Sequence, residues 1–389
     1  MPDGRDAITV KTLTSIHEVK PAEWDSCAGS DNPFLSHAFL AALEDSKSVN
    51  AQAGWLPQHL IIEESDSGLA ACAPLYVKSH SYGEYVFDWA WADAYHRAGG
   101  HYYPKLLCAV PFTPATGPRL LVNPKAKEPK VLKQALAGAM IQLAEQIGAS
   151  SVHLNFLEKP DWELLGETGF LQRTGHQYHW INEGYQSFDN FLEALTSRKR
   201  KAIRKERRET AQHGIELKTL TGTDLEERHW DAFFKFYMDT SSRKWGEPYL
   251  TRDFFFKVGE TMADKVVLVA AERDNETVAA ALNFTGDKTL FGRYWGCTED
   301  YRFLHFEACY YRAIDYAIEH GLRRVEAGAQ GEHKIQRGYL PTHTYSAHWL
   351  FDPNFKRAVD RFLTDERQGV DQDIRILMTH SPFKNQQDS

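Results

Sequence analysis

The pattern of apolar and polar positions predicts two halves with a similar order of helices and strands. In the first half, apolar residues at every second position predict strands, and apolar residues three or four positions apart predict helices. The strands are predicted at residues 8–19, 58–63, 69–78, 151–157 and 176–181, and the helices at 36–46, 128–148 and 161–168. The turn between the second and third strands is predicted at residues 65–68.

The second half repeats this order, with helices first, then antiparallel strands, and then a helix and a further strand. Strands are predicted at residues 215–219, 266–272, 276–285, 288–295, 323–327 and 344–351, and helices at 224–239, 251–261, 305–320 and 354–368. A polar loop at 328–341 follows the short strand at 323–327, and loops in that position commonly carry function. The polar tail from residue 372 is predicted to be loosely held.

These patterns predict an α/β protein of two tandem domains, each a mixed, mostly antiparallel sheet flanked by helices. The boundaries follow the Gly-containing segment at 184–189, which gives an N-terminal domain at 1–185 and a C-terminal domain at 186–389. A basic connector helix at 190–212 belongs to the second domain. The shared order of elements suggests a duplication, although no sequence repeat is visible.

Composition narrows the class of protein. A net charge of −8 argues against generic coating of nucleic acid, but leaves room for a local basic patch. Five scattered cysteines without a C-x-x-C pair argue for a reducing compartment and against structural zinc, and no metal site is assigned. No apolar segment is long enough to span a bilayer, and no signal peptide is visible, so we expect a cytoplasmic protein. The oligomeric state is not predicted.

Aromatic rings alternate with charged groups in the segment at residues 80–95. Such a segment suits the wall of a binding cleft, or alternatively a packed aromatic core whose polar groups are satisfied internally. We expect Asp88 to be catalytic, with a pKa raised by its neighbours Phe87 and Trp89. The side chains expected to bind substrate here are His80, Glu84, Trp89 and Trp91.

Eight basic residues crowd residues 197–208 of the predicted connector helix. Helical spacing predicts that four arginines share one face and bind the phosphates of RNA or of a nucleotide-linked substrate. They are Arg200, Arg204, Arg207 and Arg208. The alternative is a solvated linking helix that is paired with acidic neighbours.

The second half resembles the GNAT acyltransferase fold, and in more detail the FemABX aminoacyltransferases, which carry two such domains. The residues that carry this likeness are Tyr310, Ala313, Ile314, Ala317, Gly321, residues 325–328, Lys334, Arg337, Gly338 and Tyr339, together with the connector at 200–205. Residues 74–89 resemble an uncharacterised bacterial FemAB-like family associated with peptidoglycan biosynthesis or recognition. The likeness implies a transferase and, for FemABX enzymes, an aminoacyl-tRNA donor.

One feature departs from the acetyl-CoA-dependent GNAT enzymes, which bind pyrophosphate on a Gly-rich loop before the central helix. Here the loop at 296–304 has a single glycine, and Glu299 and Asp300 would repel pyrophosphate. No cofactor is assigned with certainty, and aminoacyl-tRNA and acyl-CoA both remain possible co-substrates.

Amide formation by acyl transfer requires a base, donors for the oxyanion and aligned substrates. We expect Glu326 and His333 to be catalytic, although Glu326 could instead form an ion pair with Arg323 or Arg293. The residues expected to bind substrate in this half are Arg293, Trp295, Gln330, Lys334, Arg337 and Tyr339. These groups are expected to share one groove with the aromatic segment.

Three functions stay open. The leading hypothesis is an acyl or aminoacyl transferase that forms an amide on a small-molecule or peptide amine, with tRNA as a possible partner. The alternatives are a CoA-dependent N-acetyltransferase and a non-catalytic binding protein for a cell-wall precursor or peptide.

Overall fold

The structure is a computed structural model that describes residues 8–64, 68–244, 248–299 and 301–384. The first seven residues, most of the predicted turn at 65–68, and Asp300 of the loop before the central helix lie outside this part of the chain. None of the helices described here combines the length and the apolar character that crossing a lipid bilayer would require.

The chain forms two compact units. Unit 1 comprises residues 1–30, 34–175 and 344–368, and unit 2 comprises residues 31–33, 176–343 and 369–389. The predicted boundary at 185/186 therefore differs from the division at 175/176. Residues 344–368 were assigned to the second domain by sequence order, but they belong to unit 1 because a strand from this segment pairs within that unit.

The strands of unit 1 form two groups. Its strands are β1 (Val10–Leu13), β2 (Trp55–Pro57), β3 (His59–Glu64), β4 (Gly68–Ala73), β5 (Leu75–Lys78), β6 (Lys105–Cys108), β7 (Leu121–Val122), β8 (Ser151–Leu157) and the beginning of β9 (Leu171–Ile181). One group has the order β1-β3-β4-β7, and the other runs β2-β5-β6-β8. The pairs are antiparallel except for β6 with β8, and residues 345–350 pair antiparallel with β8.

Helices cover the strands of unit 1 with apolar faces. They are α1 (Pro21–Ala28), α2 (His37–Asp45), α3 (Trp89–Arg97), α4 (Pro129–Gln146) and α5 (Lys159–Glu167). On α4, Leu132, Leu136 and Met140 recur at four-residue spacing, and all three are buried in the main core of the unit. Ser36 caps α2 by accepting a hydrogen bond from the Phe39 N–H, as its sequence position predicts.

The strands of unit 2 are β10 (Glu216–Leu220), β11 (Val266–Arg273), β12 (Glu276–Thr285), β13 (Thr289–Cys297), β14 (Arg324–Glu326), and the unit 2 portions of β9 and β15 (Leu340–Leu350). The order is β10-β11-β12-β13-β14-β9. Only β13 and β14 are parallel among these neighbours, and the helix between them provides the required crossover.

The helices of unit 2 are α6 (Phe188–Ala194), α7 (Ser197–Ala211), α8 (Glu227–Lys244), α9 (Arg252–Thr261), α10 (Leu304–Phe306) and α11 (Arg312–Glu319). A π-helical turn at Glu307–Tyr311 joins α10 to α11, so these three segments form one continuous crossover. A further helix, α12 (Pro353–Met378), has its two ends in different units.

The prediction of mixed, mostly antiparallel sheets flanked by helices is confirmed. Three local predictions were wrong. The first strand ends at Leu13, because Ser15 and Glu18 form a capping box that starts a 3₁₀ turn. The strand predicted at residues 69–78 is divided into two strands, β4 and β5. The last helix continues ten residues beyond 368 to Met378, so residues 372–378 are helical rather than a loose tail.

Candidate functional site

Two parallel strands at the centre of unit 2 pair over only three residues. β13 pairs with β14 from Thr289 to Phe291, since β14 ends at Glu326 while β13 continues to Cys297. Ligands often bind beyond the carboxyl ends of parallel strands in α/β proteins. The crossover helix and the loop after β14 both meet this end of the strands.

The π turn in the crossover helix changes which side chains share a face. In a π turn, residues five positions apart lie closer to the same side of the helix than they would in a regular α-helix. The His305 and Tyr310 rings lie 5.3 Å apart between centroids, and the Trp295 ring of β13 lies 5.4 Å from that of His305. π turns often occur at functional sites, so this turn marks the region independently of the strands.

His333 joins this ring cluster from the loop that follows β14. Its Nε2 lies 3.1 Å from the Tyr310 hydroxyl, and the residue is exposed to solvent. Gly331 makes room for this position, because a Cβ there would lie 2.4 Å from Cε1 of His333. Gly331 also has a φ of 96°, which favours glycine.

Burial, together with the positive charges of Arg337 and Lys334, lowers the pKa of His333 below its usual value. The imidazole is therefore neutral at pH 7 and can accept a proton. Burial raises the pKa of Tyr310 well above its usual value, so its hydroxyl stays protonated. The pair thus combines an accessible base with a buried hydroxyl.

Lys334 is buried immediately after His333. Its ammonium donates to the backbone carbonyls of Ala327 and Gly328, the latter at 3.4 Å. Burial lowers the pKa of Lys334 to about 8. The side chain fixes the loop after β14 and adds positive charge close to His333.

Arg337 links this loop to the basic helix α7. Its Nη2 donates to both carboxylate oxygens of Glu206 at 2.9 Å, and its Nη1 donates to the His333 carbonyl at 2.8 Å. The guanidinium stacks 3.4 Å above the Phe306 ring centroid, and Tyr311 also donates to Glu206. Arg337 is thus held by protein groups, which is the arrangement of a positioning residue.

Glu326 lies at the end of β14 in a separate polar contact. Its carboxylate is 3.1 Å from Nη2 of Arg324 and 3.9 Å from Nε2 of His179 on β9. An ion pair of the kind foreseen as an alternative therefore exists, and the arginine seen in it is Arg324. Within the ring cluster, His333 is the imidazole that contacts the Tyr310 hydroxyl.

Helix α7 is regular from Ser197 to Ala211, so its four predicted arginines do fall on one side of it. Two of them are paired with carboxylates, as the alternative interpretation expected, and phosphate binding by the four stays a prediction. Arg207 is half-buried and lies 2.9 Å from Glu307 and 2.7 Å from Asp315. Arg204 is exposed and pairs with Asp189 at 2.9 Å. Arg200 is half-buried and Arg208 is exposed, with no ion pair recorded for either in the described residues. The carboxylates near Arg207 come from the distant crossover helix.

Unit 1 contains a buried polar cluster around Lys105. Its ammonium donates to Ser81 and Glu84, each at 2.8 Å, and to Asp88. Burial raises the pKa of Glu84 to about 7, against the opposing effect of Lys105. Burial also acts to raise the pKa of Asp88, but the ammonium of Lys105 outweighs it and holds that pKa well below its usual range. The predicted raised pKa of Asp88 was therefore wrong.

The cluster continues through a chain of hydrogen bonds. Tyr102 donates to Asp88 at 2.7 Å and lies 3.4 Å from Nε2 of His153. The two Nδ1 atoms of His153 and His348 are 2.7 Å apart. Burial lowers the pKa of His153 to about 3 and that of His348 well below its usual value. Both imidazoles are neutral, with one donating to the other.

The remaining predicted residues occupy different environments. In unit 1, Trp89 is 40% exposed and its ring contacts that of Tyr82, whereas Trp91 is buried and its ring contacts that of His348. The Nε2 atom of His80 is within hydrogen-bond distance of the Ala53 carbonyl.

The predicted residues of unit 2 also differ in their surroundings. The Trp295 ring contacts that of His305, and the Tyr339 ring contacts that of Tyr310, so both belong to the ring cluster. Arg293 lies 5.0 Å from the Tyr294 ring centroid, and Gln330 is exposed.

A profile of the FemAB-like family, described as peptidoglycan biosynthesis/recognition, matches residues 15–385. The chain belongs to the FemAB-like family. No curated protein sequence gives a match. The predicted resemblance is thus confirmed over nearly the whole chain.

Solved structures support a FemX-type fold for this FemAB-like protein. The structure of FemX aligns with a TM-score of 0.56 at 11% identity over 88% of this chain and 98% of FemX. L-PGS from Bacillus licheniformis aligns with a TM-score of 0.51 at 11% identity, over 86% of this chain and 98% of L-PGS. A Bacteroides thetaiotaomicron protein of unknown function aligns with a TM-score of 0.54 at 11% identity, over 87% of this chain and 99% of that protein. At these identities the likeness concerns the fold, two tandem GNAT-like domains.

Several residues of this FemAB-like site were not among the predicted site residues. They are His179, Glu206, Phe306 and Tyr310. The sequence already marks His305, at the start of the crossover helix, as a possible ligand contact or capping residue, but only the π turn brings Tyr310 beside it. Glu206 could not be selected from the sequence, because its partner Arg337 is 131 residues away.

Proposed function

We propose that this protein is an acyl or aminoacyl transferase that forms an amide bond on an amine acceptor, with its reacting centre beside His333 in unit 2. The proposal is supported by the family membership and by the chemistry of the cluster at the end of β13 and β14. The observation that carries it is the exposed, neutral imidazole of His333 next to the buried Tyr310 hydroxyl.

In the proposed step, the amine nitrogen attacks the acyl carbon of an ester or thioester donor. A new C–N bond forms, and the bond from the acyl carbon to the leaving oxygen or sulfur breaks. His333 accepts the proton that the amine loses, and this proton can then pass to the leaving group. The Tyr310 hydroxyl oxygen accepts a hydrogen bond from Nε2–H of His333, which leaves Nδ1 to take the proton, and the Tyr310 O–H can donate toward the developing oxyanion.

The donor is proposed to be an aminoacyl-tRNA rather than an acyl-CoA. Lys199 and Arg200 lie on the first turn of α7, and burial together with Arg198 and Arg337 lowers the pKa of Lys199. This local positive charge suits phosphates. Phe303, with a φ of 65°, occupies the position before α10 where a glycine-rich pyrophosphate loop would be expected.

The acceptor is proposed to be a small-molecule or peptide amine, in line with the family description. Tyr82 and Trp89 offer an exposed pair of rings in unit 1, 4.8 Å apart between centroids. Asp88 is not assigned a proton-transfer role, because Lys105 and Tyr102 already occupy one of its carboxylate oxygens. The shared groove stays a prediction.

A donor panel tests the proposal. The purified chain is incubated with aminoacyl-tRNAs or acyl-CoAs and a set of peptide amines, and amide products are detected by mass spectrometry. We expect product with an aminoacyl-tRNA, and a loss of about 10²-fold or more in His333→Ala. His320→Ala, at the far end of the crossover helix, is the matched control and retains activity.

Thermal midpoints separate the competing functions. A rise with uncharged tRNA but not with acetyl-CoA agrees with the proposed donor, whereas the reverse favours an N-acetyltransferase. A protein that is stabilised by a cell-wall peptide but yields no amide with any donor would be a binding protein, and the proposed reaction would then be wrong.

A further inference from the structure

The connection between the adjacent strands β5 and β6 exposes aromatic rings on the surface of unit 1. It spans residues 79–104, whereas a hairpin between such strands usually has a loop of about two to five residues. Tyr82 is 55% exposed, Phe87 is 59% exposed and Trp89 is 40% exposed. A group of large apolar side chains at the surface is informative, because it commonly marks a site of interaction.

Three rings of this connection form a row with Tyr82 in the middle. The Tyr82 ring lies 5.2 Å from the His80 ring and 4.8 Å from the Trp89 ring, measured between centroids. The ring planes are inclined by 67° in the first pair and by 63° in the second. The rings therefore do not present one flat face, on which a sugar or a nucleobase could stack. The two exposed rings, Tyr82 and Trp89, instead form the walls of a corner.

The His80 end of the row is held in place by the backbone. Its Nε2–H donates to the Ala53 carbonyl at 3.1 Å, and its Nδ1 accepts from the Tyr82 N–H at 3.1 Å. Gly54 makes this position possible, because a Cβ there would lie 2.2 Å from Nε2 of His80. Burial and the nearby Lys78 lower the pKa of His80, so the ring is neutral at pH 7. The row is thus preorganised and uncharged.

The charged groups of the same connection are buried instead of lying beside the exposed rings. Glu84 and Asp88 both accept hydrogen bonds from the ammonium of Lys105. The ammonium of Lys78 donates to the Tyr82 carbonyl at 3.4 Å and lies 3.9 Å from Glu84. Oε1 of Glu84 and Oδ1 of Asp88 accept no hydrogen bond from the described residues. Two carboxylates and two ammonium groups therefore lie under the backbone that carries the rings.

This buried group becomes more negative as the pH rises through 7. Burial raises the pKa of Glu84 to about 7 and lowers that of Lys78 to about 7, so both lose a proton in this range. Burial also acts to lower the pKa of Lys105, but the carboxylates of Glu84 and Asp88 outweigh it, so Lys105 stays charged. Asp88 stays ionised. The other titratable side chains that face the group stay uncharged between pH 6 and 8. They are Tyr102, Tyr103 and His153.

We propose that the corner formed by Tyr82 and Trp89 binds an alkylammonium group. An ammonium is attracted to the negative face of an aromatic ring, and a corner offers two such faces to one compact cation. Unit 1 already holds one ammonium against a ring, since Nζ of Lys78 lies 3.7 Å from the Trp55 ring centroid. A cation at the corner meets no competing charge from the row itself, and the buried group attracts it more strongly at higher pH.

This inference deepens the proposed function and rests on it for the source of the cation, because an amine acceptor carries an ammonium group in water near pH 7. The binding itself needs no acyl donor and no residue of unit 2. The two ideas can therefore fail separately. Cation binding without amide formation would strike only the proposed function, and amide formation without cation binding at the corner would strike only this inference.

The experiment titrates the full chain with n-butylammonium or with 1-butanol, an uncharged molecule of similar size, in the absence of an acyl donor. Binding is followed by saturation-transfer NMR of the ligand and by the ¹⁵N-indole signal of Trp89, which is identified by its loss in Trp89→Phe. We expect the Trp89 signal to shift with n-butylammonium, and 1-butanol to bind about three-fold or more weakly. Equal binding of the two molecules would overturn the cation site.

Substitutions at the surface locate the site. Tyr82→Leu and Trp89→Leu should each weaken binding of n-butylammonium about three-fold or more, because leucine is apolar but has no π face. Phe87→Leu is the matched control in the same connection. Phe87 is the most exposed of the three, and no contact of its ring with another ring is recorded among the described residues. An equal effect of Phe87→Leu would assign the binding to exposed apolar surface in general and overturn the corner.

The pH dependence tests the contribution of the buried group. n-Butylammonium keeps its charge between pH 6 and 8, so a change in its affinity reports on the protein. We expect binding to tighten about two-fold or more from pH 6 to pH 8, while the affinity for 1-butanol stays constant. Weaker binding of the cation at pH 8 than at pH 6 would overturn the part assigned to Glu84 and Lys78.

Discussion

The hydroxyl of Tyr310 lies 3.1 Å from Nε2 of His333, across a gap of 23 residues in sequence. The contact forms because the π turn at Glu307–Tyr311 turns Tyr310 toward the loop after β14, where Gly331 leaves room for the imidazole. A partly accessible base is thereby fixed beyond the carboxyl end of β14. The predictions for the proposed reaction depend on this contact.

Tyr310→Phe should reduce the rate of amide formation about five-fold, because one hydrogen bond of about 1 kcal/mol to the imidazole is removed. His333 acts in its neutral form, so activity falls as the pH drops through its pKa. Burial, Arg337 and Lys334 hold this pKa below 6.5, so the acidic limb of the kcat/KM profile should have its midpoint below pH 6.5.

Tyr310→Phe should also move the midpoint of the acidic limb to higher pH. Water can then enter beside the His333 ring, so burial lowers the pKa of His333 less. The measurement is kcat/KM between pH 5 and 8 for the wild type, Tyr310→Phe and His333→Ala. An acidic limb that persists unchanged in His333→Ala would assign it to another group. Tyr316→Phe, on α11, is a control that should leave the profile unaltered.

Arg337 and Glu206 should be strongly coupled in stability. Their side chains are only 8% and 17% exposed, so removing one partner leaves a largely buried charge. We expect Arg337→Ala to lower the free energy of unfolding by about 2 kcal/mol, with a coupling energy above about 1 kcal/mol in a double-mutant cycle with Glu206→Gln. Urea unfolding provides each value.

The exposed pair Lys130–Glu167 is the comparison for this cycle. Its side chains are 63% and 62% exposed, and such pairs contribute less than about 1 kcal/mol. Equal coupling energies for the two pairs would contradict the role of Arg337 as the link between α7 and the loop after β14.

The sequence predicted the elements around the site better than the contacts within it. The antiparallel strands β11 to β13 have long apolar stretches and tight turns, and the loop after β14 is recognisable by its density of polar groups. His333, Lys334 and Arg337 were therefore among the predicted site residues, and their functional roles stay predictions. The π turn was not, because one irregular turn leaves the apolar positions of α11 in their usual period.

Charge partners were the least predictable feature. Asp88 lies between Phe87 and Trp89 in sequence, which suggested an apolar environment, but Lys105 reaches it from β6, 17 residues away. Arg207 was predicted to bind phosphate, with pairing to acidic neighbours as the alternative, and the sequence did not show that these neighbours would be Glu307 and Asp315 of the crossover segment. Local sequence carries no information on such long-range pairs, and these pairs set the pKa values.

Arg200 and Arg207 should differ in their effect on binding of a phosphate-bearing donor. If Arg200 contacts phosphate, Arg200→Ala should weaken tRNA binding and reduce the slope of log K against log salt concentration by about 1. Arg207→Ala should leave the slope unchanged but lower stability, because it removes the arginine that pairs with Asp315 and one of the two arginines that face Glu307. Fluorescence titrations at several salt concentrations measure both; equal slopes for Arg200→Ala and wild type would remove Arg200 from the donor site.

The buried histidine pair should make unit 1 sensitive to acid. His153 has a pKa lowered by burial to about 3, and His348 is lowered well below its usual value, while both titrate near 6.5 once unfolded. Between these values the unfolded chain binds more protons, so stability falls as the pH drops from 6.5 toward 3. Each histidine contributes a slope of up to about 1.4 kcal/mol per pH unit.

Glu84 opposes this trend, because burial raises its pKa to about 7, so its folded form binds an extra proton between its unfolded pKa and pH 7. Near pH 5.5, the two histidines and Glu84 together give a slope of stability against pH that is about that of one histidine. His153→Asn should reduce this slope to about zero, because the effects of His348 and Glu84 then cancel. His96→Gln, at an exposed position on α3, should leave the slope unchanged. Urea midpoints at pH 7, 6 and 5 measure the slopes, and a wild-type midpoint that does not fall with pH would contradict a neutral buried pair.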